Sequence, residues 1–132
     1  MNLKYLGNLN VEAVHEPSGK VIQTAAPVDN QGDGSSFSPT DLLSSSMASC
    51  ILTIMGIKSR DRDINLEGST IKLKKHMGTE PRRVSKLEME FHLPQNLSDE
   101  NQAFLKEIAS TCPVCHSISP VIELDYRFYF DL

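Results

Sequence analysis

The fold turns on one stretch: Ser38-Pro39-Thr40-Asp41-Leu42-Leu43-Ser44-Ser45-Ser46-Met47-Ala48-Ser49-Cys50. Ser38 suits an N-cap, Pro39 suits the first helical position, and Asp41 stands three residues after the cap as a short-armed capping box. Apolar positions continue through Ile51, Leu52, Ile54, Met55 and Ile57, so the pattern predicts a helix running to about Arg60. These residues are not confined to one stripe. A helix that is apolar nearly all round is buried on most sides. In a chain of 132 residues, that points to a central helix with a second subunit available to cover it. Ser44, Ser45, Ser46, Ser49 and Thr53 interrupt the run, and the region 42–57 reads as too short and too polar for a membrane span.

On the N-terminal side, residues 9–15 and 20–25 read as two strands around Glu16-Pro17-Ser18-Gly19, a turn composition. Residues 27–37, rich in Gly, Asp and Ser, read as a loop that delivers the chain to the helix carrying Cys50. On the C-terminal side, residues 69–77 and 84–93 alternate in polarity. Ile71, Leu73 and Met77 oppose Lys72, Lys74 and His76, while Leu87, Met89, Phe91 and Leu93 oppose Glu88, Glu90 and His92. That alternation predicts a half-buried antiparallel hairpin turning at Gly78-Thr79-Glu80-Pro81. Ser98 caps a second helix, with Asp99 and Glu100 in its first turn, where the helix dipole favours acid. Phe104, Leu105, Ile108 and Cys112 recur at helical spacing, which puts Cys112 at the helix's inward-facing end, with Pro113 stopping it or opening a short next one. Residues 121–130 form a last strand with Ile122, Leu124, Tyr126, Phe128 and Phe130 on one face. Strands, helix, strands, helix, strand is an α+β order with mostly antiparallel pairing, in a single domain over 1–132.

The net charge of −4 disfavours a nucleic-acid or anionic-membrane partner. The basic run Lys72, Lys74, Lys75, His76, Arg82 and Arg83 faces glutamates and reads as a solvated sheet face. The start Met1-Asn2-Leu3-Lys4-Tyr5 has no long apolar run, so no export signal is expected and a cytoplasmic location with reduced thiols is.

Three cysteines, Cys50, Cys112 and Cys115, make no simple disulfide framework. A Cys in a buried helix is ordinarily core, so Cys50 alone carries little. Cys112-Pro113-Val114-Cys115-His116 matches two further patterns. A thioredoxin-like Cys-x-x-Cys needs its first Cys at a helix start after a strand, whereas a helix precedes this one. The Cys-x-x-Cys-His pattern of c-type haem attachment belongs to exported proteins. A zinc site on Cys112, Cys115 and His116 needs a fourth ligand, so no metal and no cofactor is expected.

Ser38-Pro39-Thr40-Asp41-Leu42-Leu43 leading to Ala48-Ser49-Cys50, followed some sixty residues later by Cys112-Pro113-Val114, resembles the OsmC/Ohr family of osmotically inducible and organic-hydroperoxide-resistance proteins. The resemblance covers the whole chain in element order. It implies an OsmC-like fold, mostly antiparallel sheets wrapped around long central helices, in an intertwined homodimer with active sites at the subunit interface. It also implies that Cys50 is the peroxidatic thiol and Cys112 the resolving one, reducing organic hydroperoxides at the expense of a dithiol. Cys115 and His116 match no family catalytic position. Thr40, Asp41 and His116 are accessory candidates. The peroxidase branch carries an N-terminal Arg and a Glu directly after the cap Pro. Here no Arg precedes Arg60 and Thr40 follows Pro39, which resembles the broader OsmC-like branch more closely.

A buried thiol also needs a cation to ionise, for which Lys20, His15, His116 or a partner chain's Arg60 are candidates. Two other readings stay open. One is a non-peroxidase OsmC-like protein binding a small apolar or thiol-reactive ligand; the other is a metal or redox-sensing module on Cys112, Cys115 and His116.

Overall fold

The computed structural model describes all residues, Met1–Leu132, in two compact units, Met1–Leu43 and Ser44–Leu132. The first is a three-stranded antiparallel meander of β1 (Asn2–Gly7), β2 (Asn10–His15) and β3 (Lys20–Ala25), with β2 in the middle. β2 and β3 are the two expected strands. β1 was not expected. Its turn into β2 places Asn8 and Leu9 both at positive φ, the backbone of a tight hairpin turn, although Leu is an unusual residue there. At the next turn His15 C=O accepts hydrogen bonds from the amides of Ser18 and Gly19. The 27–37 segment is a loop with one short 3₁₀ turn at Val28–Asn30. It is fixed rather than merely solvated. Ala25 N–H donates to Phe37 C=O, the Ser36 hydroxyl donates to Gln23 C=O, and Gly32 lies so close to Ala26 that a Cβ there would overlap its carbonyl.

The helix α1 spans Pro39–Ser59, followed by a 3₁₀ turn at Arg60–Arg62. Its start is the reciprocal cap read from the sequence. The Ser38 hydroxyl accepts from Asp41 N–H at 3.1 Å, and the Asp41 carboxylate accepts from Ser38 N–H at 2.8 Å. Ser44, Met47, Ile51, Met55 and Ser59 are its buried residues, one helical stripe. Leu43 and Ile57 remain exposed, so within one chain the helix is covered on one side only. By length and composition the 24 residues Pro39–Arg62 could cross a membrane, contrary to the expectation from the interrupting serines and Thr53. A core helix has the same signature, and Met47, Ile51 and Met55 pack in this unit's core.

In the second unit α1 packs with a sheet ordered β4–β5–β6, formed by β4 (Thr70–Gly78), β5 (Arg83–Leu93) and β6 (Glu123–Phe130). β4 and β5 form the expected antiparallel hairpin, with a register shift between His76 and Met77. β6, by contrast, runs parallel to β5, with Lys86 opposite Glu123 and Leu93 opposite Phe130. A parallel neighbour needs a crossover, and α2 (Asp99–Ile108) lies within it. Ser98 caps α2 by accepting from Asn101 N–H.

Val84, Leu87, Met89, Phe91 and Leu93 of β5 join Met47, Ile51, Met55, Leu105, Ile108, Ala109 and Cys112 in one buried cluster. Phe91 stacks on Phe128 with centroids 4.6 Å apart and meets Tyr126 edge-on at 5.7 Å. The sheet's other face carries an ion-pair lattice. Lys86 contacts Glu88, Glu123 and Asp125, Arg127 contacts Glu88, Glu90 and Asp125, and His76 contacts Glu88. Lys72 and Lys74 of the basic run stand opposite Glu90 and Glu88, so the run is interleaved with acid as the sequence pattern implies.

Candidate functional site

α2 ends four residues before Cys112, not at it as the helical spacing predicted. Ile108 C=O is taken by both the amide and the hydroxyl of Thr111, which closes the helix. Pro113 then disfavours helical backbone at Cys112. The residues that follow fold into a run of turns. His116 N–H reaches Cys112 C=O, and the amides of Ser117 and Ile118 both reach Val114 C=O. This geometry curls the Cys-Pro-Val-Cys segment so that its two sulfurs face each other.

Cys112 is fully buried, while Cys50 and Cys115 are half-buried, and all three are free thiols. Cys112 Sγ lies 2.6 Å from Cys115 Sγ, about half an ångström beyond a disulfide bond. Cys115 N–H donates to Cys112 Sγ at 3.2 Å. Cys115 Sγ in turn faces Ala109 C=O at 3.6 Å and the Tyr126 hydroxyl at 4.0 Å. Cys50, on α1, interacts with the Cys112 thiol and with the Val114 backbone. Cys112 is therefore the sulfur that influences Cys50 and that Cys115 approaches at 2.6 Å.

The electrostatics favour the protonated forms of Cys50, Cys112 and Tyr126. The Val114 amide is the strongest single influence on Cys50 and favours its thiolate. Burial and the Cys112 thiol together outweigh it and push Cys50 above the ordinary thiol range. Burial, then the Cys115 thiol, push Cys112 up as well, against the pull of the Cys115 amide and Cys50. Burial and the two neighbouring thiols hold the Tyr126 phenol protonated far above its usual range. None of the groups that shift Cys50 is a cation.

The accessory candidates sit elsewhere. Thr40 and Asp41 are in the cap of α1, the Thr40 hydroxyl 3.1 Å from that of Ser38. Asp41 precedes Cys50 by nine residues, about two and a half helical turns. His116 has an exposed side chain, although its amide helps to form the turn. His15 Nδ1 pairs with the Ser18 hydroxyl at 2.6 Å, and Lys20 and Arg60 are exposed. No group of three His, Cys, Asp or Glu side chains is arranged to hold a metal ion, so Cys112, Cys115 and His116 do not form the metal module considered above. The residue the sequence undervalued is Cys115. Its signal was the Cys-x-x-Cys spacing itself, which a turn, rather than a helix start, can also bring together. In the sequence Tyr126 is one more apolar strand position, and nothing there marks its hydroxyl.

The profile of the OsmC-like protein family matches residues 32–127. A comparison with curated proteins gives no match. Among solved structures, a Psychrobacter arcticus protein provisionally named for osmotic stress induction and a detoxification response is 45% identical. The two superpose with a TM-score of 0.93 over 97% of this chain and 93% of the other. An OsmC-like protein from Mycoplasma pneumoniae shares the fold at 14% identity, with a TM-score of 0.80 over 97% of this chain and 93% of its own. So does a Legionella pneumophila protein named as the organic hydroperoxide resistance protein OsmC, at 16% identity, with a TM-score of 0.76 over 96% and 94%. The matched profile, the near neighbour and the α+β order of elements agree that this chain belongs to the OsmC-like protein family.

Proposed function

We propose that the chain reduces organic hydroperoxides through Cys50 and Cys112. Membership of a family whose structural relatives include proteins named for organic hydroperoxide resistance supports a redox role. The observation that carries the pairing is the influence of the fully buried Cys112 thiol on half-buried Cys50. The Cys50 thiolate attacks the peroxide's distal oxygen, the O–O bond breaks, and an alcohol leaves with a sulfenic acid on Cys50. The Cys112 thiol condenses with that sulfenic acid, releasing water and forming a disulfide, which an external dithiol reduces. A buried resolving thiol near the attacking one protects the sulfenic acid from further oxidation.

The working unit in this reading is a homodimer with its sites at the subunit interface, in the cytoplasm, where thiols stay reduced. The one-sided burial of α1 supports it. So do the exposed Leu3, Tyr5, Leu6, Val21 and Ile22 of the first sheet, which a solitary domain gains nothing by exposing.

The test is consumption of cumene or tert-butyl hydroperoxide with a dithiol reductant, comparing wild type with Cys50→Ser and Cys112→Ser. Wild type that consumes no more peroxide than Cys50→Ser sinks the reading. One observation favours a second reading: no cation acts on Cys50. A non-peroxidase OsmC-like protein holding a small thiol-reactive ligand at Cys50 fits that, and Cys50 would then be alkylated by such a ligand without catalytic peroxide loss.

A further inference from the structure

We propose that Cys115 is a third redox thiol, which takes the disulfide from Cys50 by exchange at Cys112. The proposal rests on the peroxidase reading for its first oxidation but on separate geometry for the transfer. Cys112 Sγ is central in the cluster: it acts on Cys50 of α1, and Cys115 Sγ stands 2.6 Å away on the same turn. The short turn holds that approach, because His116 N–H binds Cys112 C=O and Ser117 and Ile118 bind Val114 C=O. The Cys115 amide already donates to Cys112 Sγ at 3.2 Å, so the two residues are locked sulfur to sulfur.

Thiol–disulfide exchange requires a thiolate to approach one sulfur of an existing bridge. In a Cys50–Cys112 bridge, Cys115 is already positioned against the Cys112 sulfur. The Cys115 sulfur loses its proton and bonds to Cys112 Sγ, the Cys50–Cys112 bond breaks, and the Cys50 sulfur leaves as a thiolate that takes up a proton. No electrons enter or leave in this step: one disulfide is exchanged for another. Holding the two groups on one turn replaces a bimolecular encounter with an intramolecular one.

The transfer has a functional consequence. Cys50 and Cys115 are both half-buried, so either bridge offers an external dithiol one reachable sulfur beside the sealed Cys112. The exchange returns Cys50 to its thiol state before that reductant arrives. Ala109 C=O and the Tyr126 hydroxyl flank Cys115 Sγ and are positioned to take and return its proton's hydrogen bond.

The experiment maps disulfides in intact protein oxidised with one equivalent of tert-butyl hydroperoxide, then acid-quenched, alkylated and digested for mass spectrometry. Wild type is expected to end with Cys112–Cys115 in about tenfold excess over Cys50–Cys112, with Cys50 open to alkylation. Cys115→Ser, and Cys115→Ala as a second variant against misfolding, should stop at Cys50–Cys112. Cys50→Ser should form no Cys112–Cys115 bridge in the same time. Wild type that stops at Cys50–Cys112 with Cys115 alkylated overturns the relay. A Cys112–Cys115 bridge that forms equally fast in Cys50→Ser overturns it too. If the hydroperoxide leaves all three thiols reduced, the peroxidase reading fails. The relay is then decided with diamide, which oxidises thiols without a peroxide: a Cys50–Cys112 bridge that decays into Cys112–Cys115 supports it, and one that persists overturns it.

Discussion

Replacing Phe91 with Leu should loosen the wall behind the thiols without emptying the core. Phe91 is fully buried on the central strand β5, stacked on Phe128 and edge-on to Tyr126. Leu keeps most of the apolar volume but forfeits both ring contacts, each worth about 0.5–1.5 kcal/mol beyond area burial. The smaller side chain adds about 1 kcal/mol for lost transfer and residual space. The sum is about 3 kcal/mol. With a urea m-value of about 2 kcal/mol/M for a chain of this size, the unfolding midpoint should fall by roughly 1.5 M. The assay is urea denaturation of wild type and Phe91→Leu followed by circular dichroism at one fixed protein concentration, since association would couple to folding. The same change frees one side of the Tyr126 ring, whose hydroxyl faces Cys115. Cys115 in the variant should therefore be alkylated faster than in wild type under native conditions. A midpoint shift below about 0.5 M, equivalent to about 1 kcal/mol, would refute the argument that the aromatic trio anchors this sheet.

Three further outcomes follow from the cap, the thiol cluster and the ion-pair face. Asp41→Ala removes one arm of the α1 cap and should lower unfolding free energy by about 1 kcal/mol, with Asp41→Glu restoring most of it; equal stability of all three proteins would contradict the reciprocal cap. Because Cys50 is held above the ordinary thiol range, its alkylation by iodoacetamide should climb about tenfold per pH unit from about pH 6 to 8, and a plateau in that interval would mean an unseen cation lowers it. His76, then Lys86, hold Glu88 below the usual carboxylate range against the opposing effect of burial, and Arg127 and Lys86 do the same for Asp125. Their contribution is present above the unfolded carboxylate value and is lost as pH falls through the lower folded values, so Glu88→Gln should flatten the acid limb of a thermal-stability profile and leave its neutral-pH shape intact.

Much of this architecture was legible because its signals are local. Ser38, Pro39 and Asp41 announce α1 through backbone donors they satisfy themselves, and Ser98 does so for α2. The alternation of residues 84–93 reveals a buried face, because a strand's side chains have only two directions to point. What was missed is non-local. Alternation is the same in parallel and antiparallel neighbours, so nothing in residues 121–130 announces that β6 runs parallel to β5. β1 is almost wholly exposed and turns at Leu9, a residue that seldom takes positive φ. The family resemblance draws attention to Cys50 and Cys112, but not to the approach of Cys115. Helical spacing runs unbroken from Ile108 to Cys112, and only the competing hydrogen bonds of Thr111 end the helix early enough for residues 112–115 to turn back on themselves.

The parallel seating of β6 also sets a timetable. A hairpin can zip as soon as its turn is made, but β6 cannot reach β5 until the chain has travelled back through α2 and the thiol-bearing turns. Tyr126 therefore arrives beside Cys115 only when the final strand docks. Until then Cys115 lacks that neighbour and stands more open to any electrophile that meets the emerging chain. Protection of that one sulfur is accordingly a clock that stops when the last strand is home.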